Sequence, residues 1–175
     1  DSYMLYLNNA CSEKSNIKII LKRAMWRKRA KNYLKHMELD KKAAEFIILD
    51  APTGFGKTHA IRELLSSKPE GTVNVMSCEM VIEILLHYIS NSLTDENKLI
   101  NYLGNSKCLV VEDVDVDLVG KEATQEEVAN ALAKTLNGGI TVIVTGINIK
   151  NNLPYFYKKL TSQLTCPVVE FKPLK

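Results

Sequence analysis

The sequence predicts an α/β fold: a parallel five-stranded sheet flanked by helices, of the P-loop nucleotide-binding kind. Three observations carry that prediction. Short apolar, β-branched runs alternate with helix-length segments; a glycine-rich loop with a lysine joins the first run to a helix; and a pair of acids ends a later run. Strands alternating with helices imply right-handed crossovers, and hence parallel strands.

In chain order, residues 19–37 (I-I-L-K-R-A-M-W-R-K-R-A-K-N-Y-L-K-H-M) space Ile20, Ala24, Trp26, Ala30, Tyr33, Leu34 and Met37 approximately as one face of a helix, with lysines and arginines on the other. Residues 1–45 are read as a basic helical segment and 46–175 as the nucleotide-binding core. Residues 46–49 form a strand, and the helix after the loop covers 58–66. The turn Lys68-Pro69-Glu70-Gly71 leads into a strand at 72–77, followed by a helix at 78–90. A third apolar run covers 107–111. Thr124 and Glu127 form a capping box opening a helix that ends at Gly138-Gly139. A strand at 140–145, a helix at 153–164 and a last strand at 168–171 complete the order. There is no internal repeat and no low-complexity segment.

With 175 residues and 46% hydrophobic content, one α/β domain with a real core is expected. No apolar stretch approaches the ~18 residues of a membrane span, and no secretory pattern opens the chain, so a cytoplasmic protein without membrane contact is expected. Cys11, Cys78, Cys108 and Cys166 show no C-x-x-C pairing and read as reduced core residues. The first residue is Asp rather than Met, so a fragment is one expectation. The net charge of +3 is uneven: residues 1–45 hold eleven Lys/Arg against five Asp/Glu, the remainder twelve against fifteen. Arg23, Arg27, Lys28, Arg29, Lys31 and Lys35 are therefore candidate DNA contacts. A packed helix with a solvated basic face would look the same.

The loop at 50–59, D-A-P-T-G-F-G-K-T-H, fits the Walker A pattern G-x-x-x-x-G-K-[ST] with Ala51 in place of the first glycine. The candidate nucleotide-binding residues are Thr53, Gly54, Phe55, Gly56, Lys57, Thr58 and His59. The glycines let backbone N–H groups point inward, and the helix that Lys57 and Thr58 open favours negative charge at its start. Lys57 is expected to reach the β- and γ-phosphates, and Thr58 to place its hydroxyl on Mg²⁺. The loop is thus expected to bind a nucleotide with Mg²⁺.

Such a loop needs a carboxylate at the end of a neighbouring strand to hold Mg²⁺ and another to orient the attacking water. Leu109-Val110-Val111-Glu112-Asp113 supplies both, and either acid fills either role. The competing reading is a solvated acidic turn, since Asp115 and Asp117 follow. At the tip of the next strand Thr145, then Asn148, is the candidate for touching the γ-phosphate or the water. A threonine that merely bonds the loop backbone is the alternative.

These motifs, in this order, resemble the AAA+ domain of the bacterial replication initiator DnaA and its helicase-loader relatives. The segments are G-F-G-K-T-H-A at 54–60, N-V-M-S-C-E-M-V-I-E-I-L at 74–85, C-L-V-V-E-D at 108–113, G-K-E-A-T-Q-E-E-V-A-N-A-L at 120–132 and V-I-V-T-G-I-N-I-K-N-N-L-P at 142–154. The resemblance implies an ASCE-type sheet, ATP at its edge, ATP-dependent self-association, and work on DNA, an initiator or a helicase. It also marks departures. The family's helix matching 152–164 ends in an arginine that reaches a neighbour's ATP, and Gln163 stands there. No arginine follows Arg62. The chain stops where the family's helical lid would begin, so that lid is expected to be absent.

The reading is an ATP-binding, DnaA-like protein of replication initiation or helicase loading with weak intrinsic ATPase activity. A nucleotide-responsive adaptor without turnover of its own is the alternative. A superfamily-two helicase fragment fits less well, because Glu112-Asp113-Val114-Asp115 is not D-E-x-[HD].

Overall fold

Each strand-forming run becomes a strand in the computed structural model, which describes residues 2–40, 43–90 and 98–174, with side chains from residue 13 and, before the break at 91, up to residue 87. The strands are β1 (Phe46–Asp50), β2 (Val73–Ser77), β3 (Cys108–Glu112), β4 (Thr141–Gly146) and β5 (Val168–Phe171). All neighbours run parallel in the order β2-β3-β4-β1-β5. The sequence reading puts the acids at the end of a strand neighbouring the P-loop strand, whereas β3 does not pair with β1. β4 lies between them, and this insertion matches the ASCE-type sheet. The carboxyl ends of β1, β4 and β3 face one edge, where parallel α/β sheets bind ligands.

The side-chain alternation of a strand divides the core in two. Ile47, Leu49, Cys108, Val110 and Ile143 join Trp26, Ala30, Leu34, Ala60, Ile61 and Leu64 on one face. That face is covered by α1 (Ser2–His36) and α2 (Lys57–Ser67). Phe46, Ile48, Leu109, Val111, Val142 and Val144 belong to the other core. It is covered mainly by α3 (Cys78–Ser90), α4 (Lys98–Leu103), α6 (Glu122–Asn137) and α8 (Pro154–Gln163). Two short helices, α5 (Val114–Leu118) and α7 (Ile149–Asn152), follow β3 and β4. Helices α4, α5 and α7 are too short to leave a periodic signal.

Three sequence expectations change in detail. Helix α1 starts well before residue 19 and ends at His36; of the expected apolar face Trp26, Ala30, Leu34 and, just past the helix, Met37 are buried, whereas Ile20 is 61% exposed and Ala24 is exposed too. Among the described side chains, burial on α1 begins at Trp26, which meets Phe55 of the P-loop edge-on, whereas Ile17, Ile19, Leu21 and Met25 before it are exposed. Thr124 and Glu127 do not form a cap. Lys121 is the N-cap and its carbonyl accepts from Gln125 N (2.9 Å), so the helix has already turned once by Thr124. Helix α8 opens with Pro154 at its first turn, where the missing N–H costs nothing.

Cys78 and Cys108 are buried and free, as is the half-buried Cys166. Burial pushes the Cys78 and Cys108 thiols up to about 12, with Asp117 adding to the effect at Cys78. The Cys11 side chain lies outside the described residues. Among those residues no helix is long and apolar enough to cross a membrane.

Candidate nucleotide-binding site

The apolar run of β1 ends in Asp50, and the chain then reverses through Pro52-Thr53-Gly54-Phe55-Gly56 into α2. Gly54 (φ 86°) and Gly56 (φ 99°) take left-handed conformations that a residue with a Cβ adopts only at a cost. Phe55 N donates to Pro52 O (3.3 Å), and Ala60 N to Gly56 O (3.0 Å) as α2 begins. The turn leaves α2 with its first amides directed toward the loop, an arrangement suited to phosphate.

A cavity of about 730 Å³ opens over this loop, within the range of small-ligand sites. Of the sequence-predicted residues, Thr53, Gly54, Gly56, Lys57, Thr58, His59 and Asp113 line it. Phe55, Glu112 and Thr145 do not. The Phe55 ring turns inward, 7% exposed, onto Trp26. Glu112 ends β3 half-buried, its carboxyl raised first by burial and then by Asp113. Thr145 is buried beneath Asp113, and its Oγ1 accepts from Asp113 N at 3.0 Å. That bond holds Asp113 at φ 54°, a left-handed conformation of the sort that functional sites stabilise.

Lys57 donates to the carbonyls of Ala51 and Gly146, the latter at 3.4 Å. Burial lowers its pKa, and Asp115, Asp113 and Asp50 oppose that shift. Asp115 packs so closely on Gly146 that a Cβ there would lie 2.8 Å from its Oδ1. With the Thr58 hydroxyl, the carboxylates of Asp113 and Asp115 form an all-oxygen donor set on one cavity. Such a set fits Mg²⁺, which binds through one or two protein oxygens and otherwise through phosphate and water.

Sequence reasoning missed four contributors. Asp50, 5% exposed, accepts from Asn148 N (2.7 Å) and Ile149 N (2.9 Å), tying the end of β1 to the loop after β4. Its signal was a charge ending an otherwise apolar strand, but its partners lie almost a hundred residues away. Asn148, the second sensor candidate, is the N-cap of α7 at φ 51°, and its Oδ1 accepts from Asn151. The sequence reading groups Asp115 with a solvated acidic turn and gives Arg62 no role; both line the cavity. So does Arg27, which the sequence grouped with DNA contacts.

The rest of that basic set is dispersed. Arg23 lies over the Phe55 ring (5.8 Å), Arg29 donates to Lys172 O (2.8 Å), and Lys31 meets His59 Nε2 (3.1 Å) and Glu63 (3.6 Å). Lys28 and Lys35 are exposed. Gln163 donates to Asn130 Oδ1 and Lys159 O, both at 2.8 Å, which ties α8 to α6.

A family model described as the bacterial DnaA ATPase domain matches residues 30–170. Among solved structures, domain III of the Thermotoga maritima replication initiation protein DnaA is similar with TM-score 0.59 and 20% identity, over 87% of this chain and 63% of that one. AMPPCP-bound DnaA from Aquifex aeolicus gives 0.54 and 19%, over 82% and 44%. A replication initiator DnaA bound to AMPPCP and single-stranded DNA gives 0.54 and 19%, over 81% and 44%. At these identities the likeness is one of fold, and the chain spans under two thirds of the first and under half of the other two. No curated protein sequence matches the chain.

Proposed function

The chain belongs to the bacterial DnaA ATPase-domain family, and from that premise we propose that it binds ATP with Mg²⁺ at the loop after β1, serves replication initiation or helicase loading, and turns ATP over slowly by itself. One observation carries the reading. The left-handed Gly54–Gly56 turn, Lys57, Thr58 and Asp113 come from two strand ends onto a single cavity. Lys57 supplies a cation to the phosphates once it leaves the Ala51 and Gly146 carbonyls. Asp113, held by Thr145, is the sequence-predicted acid that faces the cavity, where it serves either as a metal ligand or to orient the attacking water. Bound Mg²⁺ would neutralise phosphate charge between Thr58 and the acids.

Slow turnover is proposed because Gln163 stands where the resemblance places an arginine that reaches a neighbour's ATP, and it is engaged with Asn130. An arginine reaching across from a neighbour is worth about 10³ to 10⁵ in rate in related phosphoryl transfers. The same observation supports a second reading, an adaptor that turns over only beside a partner bringing its own arginine. DNA contact through α1 rests chiefly on exposed Lys28 and Lys35, since Arg23, Arg29 and Lys31 contact this protein's own groups.

Calorimetry with wild type and Lys57→Ala tests the central claim: ATP should bind the first and lose most of its affinity for the second. Equal affinity for both removes the nucleotide site. Salt-dependent binding to single- or double-stranded DNA, weakened by substituting Lys28 and Lys35, tests the helix.

A further inference from the structure

Helix α1 is fixed in rotation by Trp26, which is fully buried and donates from Nε1 to Phe171 O at 2.9 Å. The next residue, a hundred degrees round the helix, is Arg27. Its side chain crosses the P-loop so closely that a Cβ on Gly56 would lie 2.6 Å from Arg27 Nε. It lines the cavity with Lys57 and Arg62, opposite in charge to Asp113 and Asp115. Among the described residues no carboxylate stands within ion-pair distance of Arg27. A guanidinium carries a planar fork of donors that matches phosphate oxygens two at a time and keeps its charge throughout the ordinary pH range. The family model begins at residue 30, so this arginine lies outside the matched segment.

We propose that Arg27 is a nucleotide-phosphate ligand that α1 supplies in cis. The inference rests on the P-loop reading and deepens it: the anion is held from beneath by the loop and Lys57, and from the side by a group standing before the loop in the chain. Gly56 serves that arrangement twice, by its left-handed turn and by leaving space for the Arg27 side chain.

The test is calorimetric titration of ADP and ATP·Mg²⁺ into wild type, Arg27→Ala, Arg27→Lys, Lys28→Ala and Lys57→Ala, with a thermal melt of each variant free of nucleotide. Arg27→Ala should weaken both nucleotides about ten-fold, the weight of one charge-assisted hydrogen bond, with its nucleotide-free melt unchanged. Arg27→Lys should recover part of the loss. Lys28→Ala makes the same charge change at a neighbour that does not line the cavity and should stay within about two-fold of wild type. An equal loss in Lys28→Ala would make the effect a diffuse field and overturn the proposal. Arg27→Ala at wild-type affinity while Lys57→Ala has lost binding overturns it and leaves the P-loop reading standing. A wild type that binds neither nucleotide removes both. Should Arg27→Ala not fold, Arg27→Lys decides: reduced affinity with an unchanged melt supports the ligand, and wild-type affinity refutes it.

Discussion

Replacing Asp50 with alanine should destabilise the fold and loosen the nucleotide site at once. The carboxylate is 5% exposed and accepts from Asn148 N and Ile149 N at 2.7 and 2.9 Å. Hydrogen bonds to a charged group contribute about 1.5–3 kcal/mol each, and an orphaned buried N–H costs about 1–3 kcal/mol. The Ile149 amide is buried and bears that cost in full, whereas the Asn148 amide is partly reached by water. Removing a buried charge offsets some of the loss, so about 2–4 kcal/mol is expected overall. The loop released carries Gly146, whose carbonyl accepts from Lys57 and from Ala51 N (3.2 Å), and Ile147 on the cavity wall. ATP affinity should fall with stability. Urea denaturation followed by circular dichroism measures the first and calorimetry the second, with Asp50→Asn, which keeps an acceptor, falling between. An unfolding free energy within about 0.5 kcal/mol of wild type would refute the claim that this carboxylate ties the two loops together.

Asp113→Asn should abolish the Mg²⁺ dependence of nucleotide binding more completely than Glu112→Gln, because Asp113 lines the cavity and Glu112 does not; titrations with and without Mg²⁺ distinguish them, and the double variant should show no turnover. Gln163→Arg should raise turnover modestly at high protein concentration and not when dilute if copies assemble on ATP, and do nothing alone if a partner supplies the arginine; ATPase rates with sedimentation separate these outcomes. Burial, the hydrogen bond to Glu45 and the Glu45 charge push the Tyr33 phenol up to about 12 from 10.0. The unfolded chain thus releases that proton first, so the stabilisation is complete below pH 10 and is lost as pH rises from 10 to about 12. Tyr33→Phe should lose that alkaline component, as urea midpoints across the window will report.

Strands were legible because each is short and rich in apolar or β-branched residues, and the P-loop because its glycines and lysine lie within four residues. Register, helix starts and the cavity's full wall were not. The first turn of α6 is set by Lys121 accepting from Gln125, whereas Thr124 and Glu127 have the right spacing and the wrong place. Asp50 acts on backbone amides brought near only by β1–β4 pairing, and Thr145 on one brought near by β3–β4 pairing. Charge counting recognised the basic face of α1 but had no means to divide it between solvent and the cavity. That division follows from Trp26, whose partner strand lies at the far end of the sequence.

Trp26 is the chain's single tryptophan. Its indole is shielded from water and sits edge-on to Phe55, with ring centroids 6.3 Å apart, while Phe55 lies between the two glycines that shape the loop. Its emission should therefore come from one environment, at short wavelength, and change when the loop closes on an anion and shifts the phenyl edge. The protein carries its own optical probe one residue from Arg27, so loading and release of nucleotide can be timed by stopped-flow fluorescence with no dye attached.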